Sequence, residues 1–328
     1  MANSDKSALI NQEVAGERPS FLGRIEGEGT VRIFAPAKIN LYLKILDRRP
    51  DGYHDLDSEV AMLDFGDELT IKKSASGRAS VKCIGTYADE MPPQNYNLAY
   101  KAVELFKSRY FAADNFEIII KKEIPSKSGL GGGSSDCAAV LRALYLLYGI
   151  PPLKRIKYKD IATLLSSDAP LFMTKGHKRI AKTGEVVKQI GFGRRFYVVL
   201  VMPDFRCDTK ELYNRWDNIS RKKSDSFKKI LTTGGVANKN NRHRQEAFGL
   251  NAGRVVNDFL DVVAAFEPSI DNFIDVFSRI GAQAVSMTGS GSCLFALFNG
   301  REEAEMACET IKAEKAPSFC IVTTLIHF

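Results

Sequence analysis

The chain has 328 residues, 45% of them apolar and 26% charged, with 46 Lys and Arg against 39 Asp and Glu for a formal charge of +7. That length exceeds a usual single core and predicts two domains, while the ordinary apolar content excludes a disordered chain. No apolar run approaches the ~20 residues needed to span a bilayer, and six scattered cysteines without a CxxC pair, beside four histidines, suggest neither a zinc site nor a disulfide framework.

The simplest compartment for such cysteine usage is a reducing cytoplasm. The first 30 residues carry no basic-then-apolar leader and read as a frayed extension. From Val31 the chain turns strand-like. In APAKINLYLKIL, Ala37, Ile39, Leu41, Leu43 and Ile45 alternate with polar positions, which puts Lys38 and Asn40 together on the opposite face. RRPDGYHDL reads as a turn, Asn97 to Ser108 as a helix, and FEIIIKKEIP as a strand ended by Pro125. Ala138 to Tyr148 is apolar on almost every side and predicts a buried helix stopped by Gly149 and Pro151. YKDIATLLSSDAPLF predicts a helix, a break at Ser166–Asp168 and a further apolar segment. FYVVLVM is a buried strand, Ser220 to Gln245 a basic surface excursion, and VVNDFLDVVAAF a helix. QAVSMTGSGSCLFALF predicts strand, Gly-Ser loop and strand, followed by a charged helix from Arg301 to about Glu314 and a last strand, FCIVTTLIHF. Helices and strands mix without strict βαβ alternation, so the fold class expected is α+β. A boundary near Gly191–Arg195 divides it.

The chemistry concentrates in PSKSGLGGGSSDCAAVLRAL, Pro125 to Leu144. Glycines ahead of a helix expose backbone N–H groups at the positive end of the helix dipole, which suits a polyanion. Ser134 and Ser135 add hydroxyls for a donor or magnesium contact. The plain alternative is a glycine-rich turn with a serine cap. The segment lacks the GK[ST] end of a P-loop and the placement of a Rossmann fingerprint. Other residues are ambiguous one by one. Lys38 reads as an exposed lysine, Asp168 in SSDAPLF as a helix cap ahead of Pro170, His54 as turn chemistry, and Gly289 and Gly291 as a hairpin.

In combination they are informative. APAKINLYLKILDRRPDGYHDLDSEVAMLDFGDELTI, IPSKSGLGGGSSDCAAVLRAL and SMTGSGSCLFALF stand in this order over roughly Val31 to Phe328, and together closely resemble the GHMP small-molecule kinases. Within that family, PAKINLYL with RPDGYH resembles the branch acting on a cytidine-linked methylerythritol. The resemblance implies a two-domain fold with the active site in the cleft between domains: an N-terminal extension (1–30), an ATP-binding and catalytic domain (31–193) and a C-terminal domain (194–328). It implies ATP as phosphoryl donor with Mg²⁺, and phosphorylation of the 2-hydroxyl of 4-diphosphocytidyl-2-C-methyl-D-erythritol on the route to isoprenoid precursors. Asp168 would be the catalytic base and Lys38 its charge partner. ATP would lie on Pro125, Gly129, Leu130, Gly131, Gly132, Gly133, Ser134 and Ser135, with adenosine near Asn97 and Lys122. Asn40, Tyr53, His54, Asp168, Thr209 and Tyr213 would hold the substrate. No acidic residue stands out as a dedicated Mg²⁺ ligand, which leaves the metal to be held mostly by ATP and a serine. Lys127 and Ser128 depart from the smaller residues the family pattern has there, and GHKRIAKTGEVV is one residue short of it. The implied partner is the small-molecule substrate, with no nucleic acid and no membrane, on a monomer or a homodimer. The basic runs RKKSDSFKK and NKNNRHRQ lack the interleaved aromatics that stack bases, so they read as solvated surface rather than a nucleic-acid module.

Overall fold

The computed structural model describes residues 18–150, 158–182, 186–189, 195–219 and 255–326. Strands β1 (Arg24–Ile25), β2 (Thr30–Arg48), β3 (His54–Ser74), β4 (Ser80–Ile84), β5 (Asn115–Lys121), β6 (Lys178–Lys182) and β7 (Val186–Gln189) form the first sheet, ordered β1-β2-β3-β5-β4 with β6 between β3 and β7. β8 (Tyr197–Met202) opens a second sheet. β9 (Val256–Asn257) returns to the first and pairs in parallel with β2. β10 (Ala284–Met287), β11 (Leu294–Phe298) and β12 (Phe319–Thr324) complete the second, ordered β10-β11-β8-β12. The helices are α1 (Leu98–Tyr110), α2 (Gly132–Leu147), α3 (Tyr158–Leu165), α4 over residues 209–219, α5 (Asp258–Ala264), α6 (Ser269–Arg279) and α7 (Arg301–Lys315). A 3-10 turn, Ala169–Met173, follows α3 after a break. The α+β mixture expected from the sequence is the one observed.

β2 is the strand that organises the molecule. Val31, Ile33 and Ala35 pack with α1 and α2, whereas Ala37, Ile39 and Leu41 pack with the second sheet through Val198, Leu200 and Phe295. The change of partner coincides with a register shift between Pro36 and Lys38. Pro36 has no N–H to give the ladder, and such bulges re-aim the side chains that follow. Gly66 stands opposite; a Cβ there would lie 2.2 Å from the Ala35 carbonyl oxygen, so only glycine lets β3 approach the bulge. The second sheet is covered on both faces. Val198, Leu200 and Phe295 meet β2, and Val199, Val201, Leu294, Ala296 and Phe298 meet α4 to α7.

Three expectations need correction. Lys38 and Asn40 are not on a solvated face: both are buried, Lys38 to 4% exposure, because β2 has protein on both sides. Residues 18–30 are not frayed. Phe21 is buried under the Arg142 guanidinium, 3.6 Å from its ring centre, and β1 pairs with β2. Lastly, β5 ends at Lys121, short of Pro125, and α2 starts at Gly132 rather than Ala138, so Gly132 and Gly133 are helical residues. The basic excursion 220–245 and the expected boundary at 191–194 lie outside the described residues, as do residues 1–17 and 183–185.

Candidate active site

The glycine segment is a rigid shelf held from two sides. Gly129 and Gly131 have φ of +80° and +77°. A Cβ on Gly129 would fall 2.1 Å from the Thr288 carbonyl oxygen, and one on Gly131 would fall 2.9 Å from Phe172. Lys38 N–H donates to the Leu130 carbonyl at 2.9 Å, and Cys293 N–H donates to that of Ser128 at 3.1 Å. Pro125 and Leu130 thus take part through their carbonyls, Pro125 accepting from the Ser128 hydroxyl at 2.7 Å. Ser128 is buried in that bond, while Lys127 is exposed in a left-handed conformation, φ +52°. The first helical bond of α2 runs from Ser135 N–H to Gly131 at 2.9 Å. The amides of Gly132, Gly133 and Ser134 therefore precede the helical ladder. Gly133 is exposed, and a Cβ on it would meet nothing nearer than Leu98 at 3.8 Å.

Asn40 ties this shelf to the loop between β10 and β11. Its Oδ1 accepts from Lys38 Nζ at 2.5 Å, from Gly289 N–H at 2.9 Å and from the Thr288 hydroxyl at 3.3 Å, and its Nδ2 donates to the Ser58 hydroxyl at 2.8 Å. Thr288 also donates to the Gly129 carbonyl at 3.2 Å. Asn257, the N-cap of α5, donates to the carbonyls of Met287 and Gly289 at 2.6 and 2.9 Å. The Gly289–Gly291 hairpin is therefore bonded into the site. Burial lowers the Lys38 pKa below the ordinary lysine value of 10.5, and the negative charge of Asp168 works against that shift. The structure thus places a carboxylate within electrostatic reach of the buried ammonium.

Asp168 precedes the 3-10 turn, but its side chain makes no cap bond, so the plain reading as a helix cap fails. Its N–H donates to the Ser166 hydroxyl at 3.3 Å, and Ser166 in turn shares a 2.7 Å bond with the Ser134 hydroxyl. Ser166 thus links the start of α2 to the aspartate. Sequence reasoning missed it, although it lies two residues from Asp168. Ser135, expected beside Ser134 at the phosphates, has a fully buried side chain.

The substrate residues separate into two groups. His54 and Tyr213 come together, their rings stacked at 5.1 Å and 10°, with Trp216 edge-on to His54 at 5.3 Å. Trp216 was missed; it follows Tyr213 by three positions on α4, a spacing that puts both on one helix face. Burial pushes the Tyr213 hydroxyl up to about 12, and the Asp168 charge adds to this. Thr209 binds the Ser290 hydroxyl at 2.7 Å and so anchors α4 to the Gly-Ser loop. Tyr53 stands apart, 70% exposed after the Asp51–Gly52 turn. His54 Nε2 is engaged with Asp217 at 2.8 Å, so that nitrogen is not directed at an open pocket.

Asn97 and Lys122, expected near adenosine, lie in the interior instead. Asn97 is the N-cap of α1 and accepts from Ala99 N–H at 2.9 Å. Lys122, 2% exposed, lies between Asp67 at 2.5 Å and Asp136 at 3.0 Å. Burial disfavours its charge, but the two carboxylates outweigh burial and raise its pKa. A Cβ on Gly132 would lie 2.8 Å from Lys122 Nζ, so this cluster sits directly beneath the first turn of α2.

Comparison with known proteins identifies the family. The model of the GHMP kinases N terminal domain matches residues 97–176, and that of the GHMP kinases C terminal matches 239–316. A putative 4-diphosphocytidyl-2-C-methyl-D-erythritol kinase of Streptococcus mutans is 34% identical over 282 residues, covering 85% of this chain and 94% of the relative. A 4-diphosphocytidyl-2-C-methyl-D-erythritol kinase of Clostridium tetani is 34% identical over 289 residues, covering 87% and 96%. A crystal structure of 4-(cytidine 5'-diphospho)-2C-methyl-D-erythritol kinase superposes with a TM-score of 0.68 at 26% identity, covering 90% of this chain and 98% of that one. Homoserine kinase from Cytophaga hutchinsonii, at 16% identity and a TM-score of 0.63, shares the fold, covering 93% of this chain and 96% of its own. Relatives of that identity, matched over nearly their whole length, place this chain in the GHMP kinase family, among the 4-diphosphocytidyl-2-C-methyl-D-erythritol kinases.

Proposed function

We propose that the chain transfers the γ-phosphoryl group of ATP to the 2-hydroxyl of 4-diphosphocytidyl-2-C-methyl-D-erythritol, on the methylerythritol-phosphate route to isoprenoid precursors. The observation that carries the reading is the hydrogen bonding of Lys38 and Asn40 to the two glycine loops, with Asp168 joined to the start of α2 through Ser166 and α4 joined to the second loop through Thr209. The acceptor is a neutral tertiary alcohol and a weak nucleophile. Asp168 takes its proton or strengthens its hydrogen bond as the new O–P bond forms. Lys38 keeps that carboxylate ionised and balances charge on the moving group. Phosphoryl transfer needs mainly positioning and charge neutralisation, which the amides of Gly132, Gly133 and Ser134 supply to the phosphates.

Among the described residues there is no group of three His, Cys, Asp or Glu side chains suited to a metal. The donors present, the hydroxyls of Ser134 and Ser166 and the Asp168 carboxylate, fit Mg²⁺ that arrives on ATP and keeps most of its ligands from phosphate and water. When bound, it would neutralise phosphate charge. Asn97 and Lys122 act from below, by fixing α1 and the first turn of α2. Tyr213 offers a stacking face to the cytosine, with His54, Asp217 and Trp216 holding it in place. No helix among the described residues is long and apolar enough to cross a membrane, and a cytoplasmic enzyme on a water-soluble substrate is part of the proposal.

The test compares kcat/KM with ATP on the cytidine-linked substrate, mevalonate and homoserine. The cytidine-linked alcohol should be preferred by orders of magnitude. Equal or better turnover of mevalonate or homoserine would replace this reading with that of another GHMP kinase.

A further inference from the structure

α7 packs on β12, the edge strand of the second sheet, and two cysteines meet across that contact. Cys308 Sγ and Cys320 Sγ lie 3.0 Å apart, and Cys320 Sγ is also 3.7 Å from the Cys308 carbonyl oxygen. Both are free thiols. Cys308 is buried at 3% exposure, and Lys312, one turn further along α7 and exposed, acts on the same sulfur through its charge while its ammonium donates to Glu309 at 2.9 Å. Cys320 is partly exposed on β12.

We propose that Cys308 and Cys320 are a reversible redox pair, which a small hydroperoxide converts to an intramolecular disulfide joining α7 to β12. The Cys308 thiolate attacks the distal oxygen of the peroxide. An S–O bond forms, the O–O bond breaks, and the departing hydroxide takes a proton to become water. Cys320, deprotonated, then attacks the sulfenic sulfur of Cys308. The S–S bond forms, the S–O bond breaks, and the second hydroxide leaves as water. Two thiols are oxidised by two electrons and one hydroperoxide is reduced, leaving two waters when the oxidant is hydrogen peroxide.

The environment singles out Cys308 as the attacking thiolate. The hydrogen bond from Cys320 lowers the Cys308 pKa, burial and the Glu309 charge oppose this, and the Lys312 charge lowers it further. The same hydrogen bond, with burial, raises Cys320, which gives up its proton only once Cys308 has been oxidised. Burial instead raises Cys83 and Cys207 to about 11 and Cys137 and Cys293 to about 12, which keeps them protonated and unreactive. The location also matters. Beyond β12, Leu325 bridges Leu63 of β3, and Ile326 N–H donates to the Met62 carbonyl at 2.9 Å. Met62 is the partner of Lys38 in the β2–β3 ladder. The disulfide would therefore tie α7 to the one segment among the described residues that continues from the edge of the second sheet onto β3.

The reduced full-length chain is treated with a modest molar excess of hydrogen peroxide, then quenched, denatured, alkylated and weighed by mass spectrometry. The expected result is two alkylatable thiols fewer than the six of the reduced chain. A Cys308–Cys320 cross-linked peptide should appear, and dithiothreitol should reverse it. Cys308→Ser should keep all its remaining thiols under the same treatment, whereas Cys320→Ser should lose only Cys308, as a dimedone-reactive sulfenic acid with no cross-link. Retention of all thiols by the wild type would overturn the proposal. So would a disulfide to another cysteine, or sulfinic acid at either position without the cross-link.

Discussion

Gly133→Ala separates a glycine needed by the fold from one needed by the ligand. Residue 133 is in the first turn of α2 and is exposed, and the nearest atom to the place of an alanine methyl is 3.8 Å away, so the methyl fits. Replacing a helical glycine by alanine gains roughly 0.5–1 kcal/mol. The variant should therefore unfold at a slightly higher urea concentration than wild type. The same methyl would stand where phosphate oxygens approach the Gly133 amide. Losing one or two hydrogen bonds to a charged group at ~1.5–3 kcal/mol each corresponds to roughly 10- to 10⁴-fold weaker ATP binding. Affinity for the cytidine substrate should not change. Gly129→Ala is the control. It forces a Cβ to 2.1 Å from a backbone oxygen at φ +80° and strains the bonds at Ser128, Gly129 and Leu130. With the left-handed cost of ~1–2 kcal/mol and hydrogen bonds at ~0.5–1.5 kcal/mol each, it should lose roughly 2–5 kcal/mol of stability. Urea denaturation and calorimetric titration with each ligand measure both variants. A Gly133→Ala protein that binds ATP as wild type does would refute the seat assigned to the phosphates. Gly132→Val would report on the core instead, since its Cβ meets Lys122 and Ile124.

Asp168→Asn should bind both substrates while turnover falls by about 10²-fold or more, the usual scale of acid–base contributions; near-normal kcat on the folded variant would remove it as the base. The Lys38 pKa is lowered by burial, so its ammonium loses its proton below the ordinary value of 10.5. Activity should then fall along an alkaline limb centred below that value, and a limb at or above it would show that Lys38 does not carry the charge. Tyr213→Ala should raise KM for the cytidine substrate by roughly 10-fold, as expected from a base-stacking contribution of ~1–3 kcal/mol, and leave KM for ATP unchanged. Equal effects on both would mean that Tyr213 only packs α4.

The element order and the α+β class were legible in the sequence because period-two strands, amphipathic helices and glycine punctuation are local properties. The glycine segment was legible too, since a run of bare residues ahead of a helix has few other uses. Which glycine faces the ligand was not. Gly132 and Gly133 are adjacent and chemically identical, and only the position of Lys122 beneath one and open space above the other tells them apart. Lys38 illustrates the same limit. Alternation along β2 correctly separated Lys38 and Asn40 from the apolar set, yet it could not show a second layer of protein over their face, nor the bulge at Pro36 that turns them toward the loops. Asn97 and Lys122 were singled out through resemblance, but their hydrogen bonds go to a helix end and to two carboxylates far away in sequence. Ser166, Trp216, Thr288 and Asp217 carried no sequence signal of their own, because each gains its role from a partner brought up by the fold. Local pattern determines which residues share a strand, a turn or a helix face. Only tertiary packing decides which of those faces meet, and so which polar groups are desolvated, paired and left beside an open cleft.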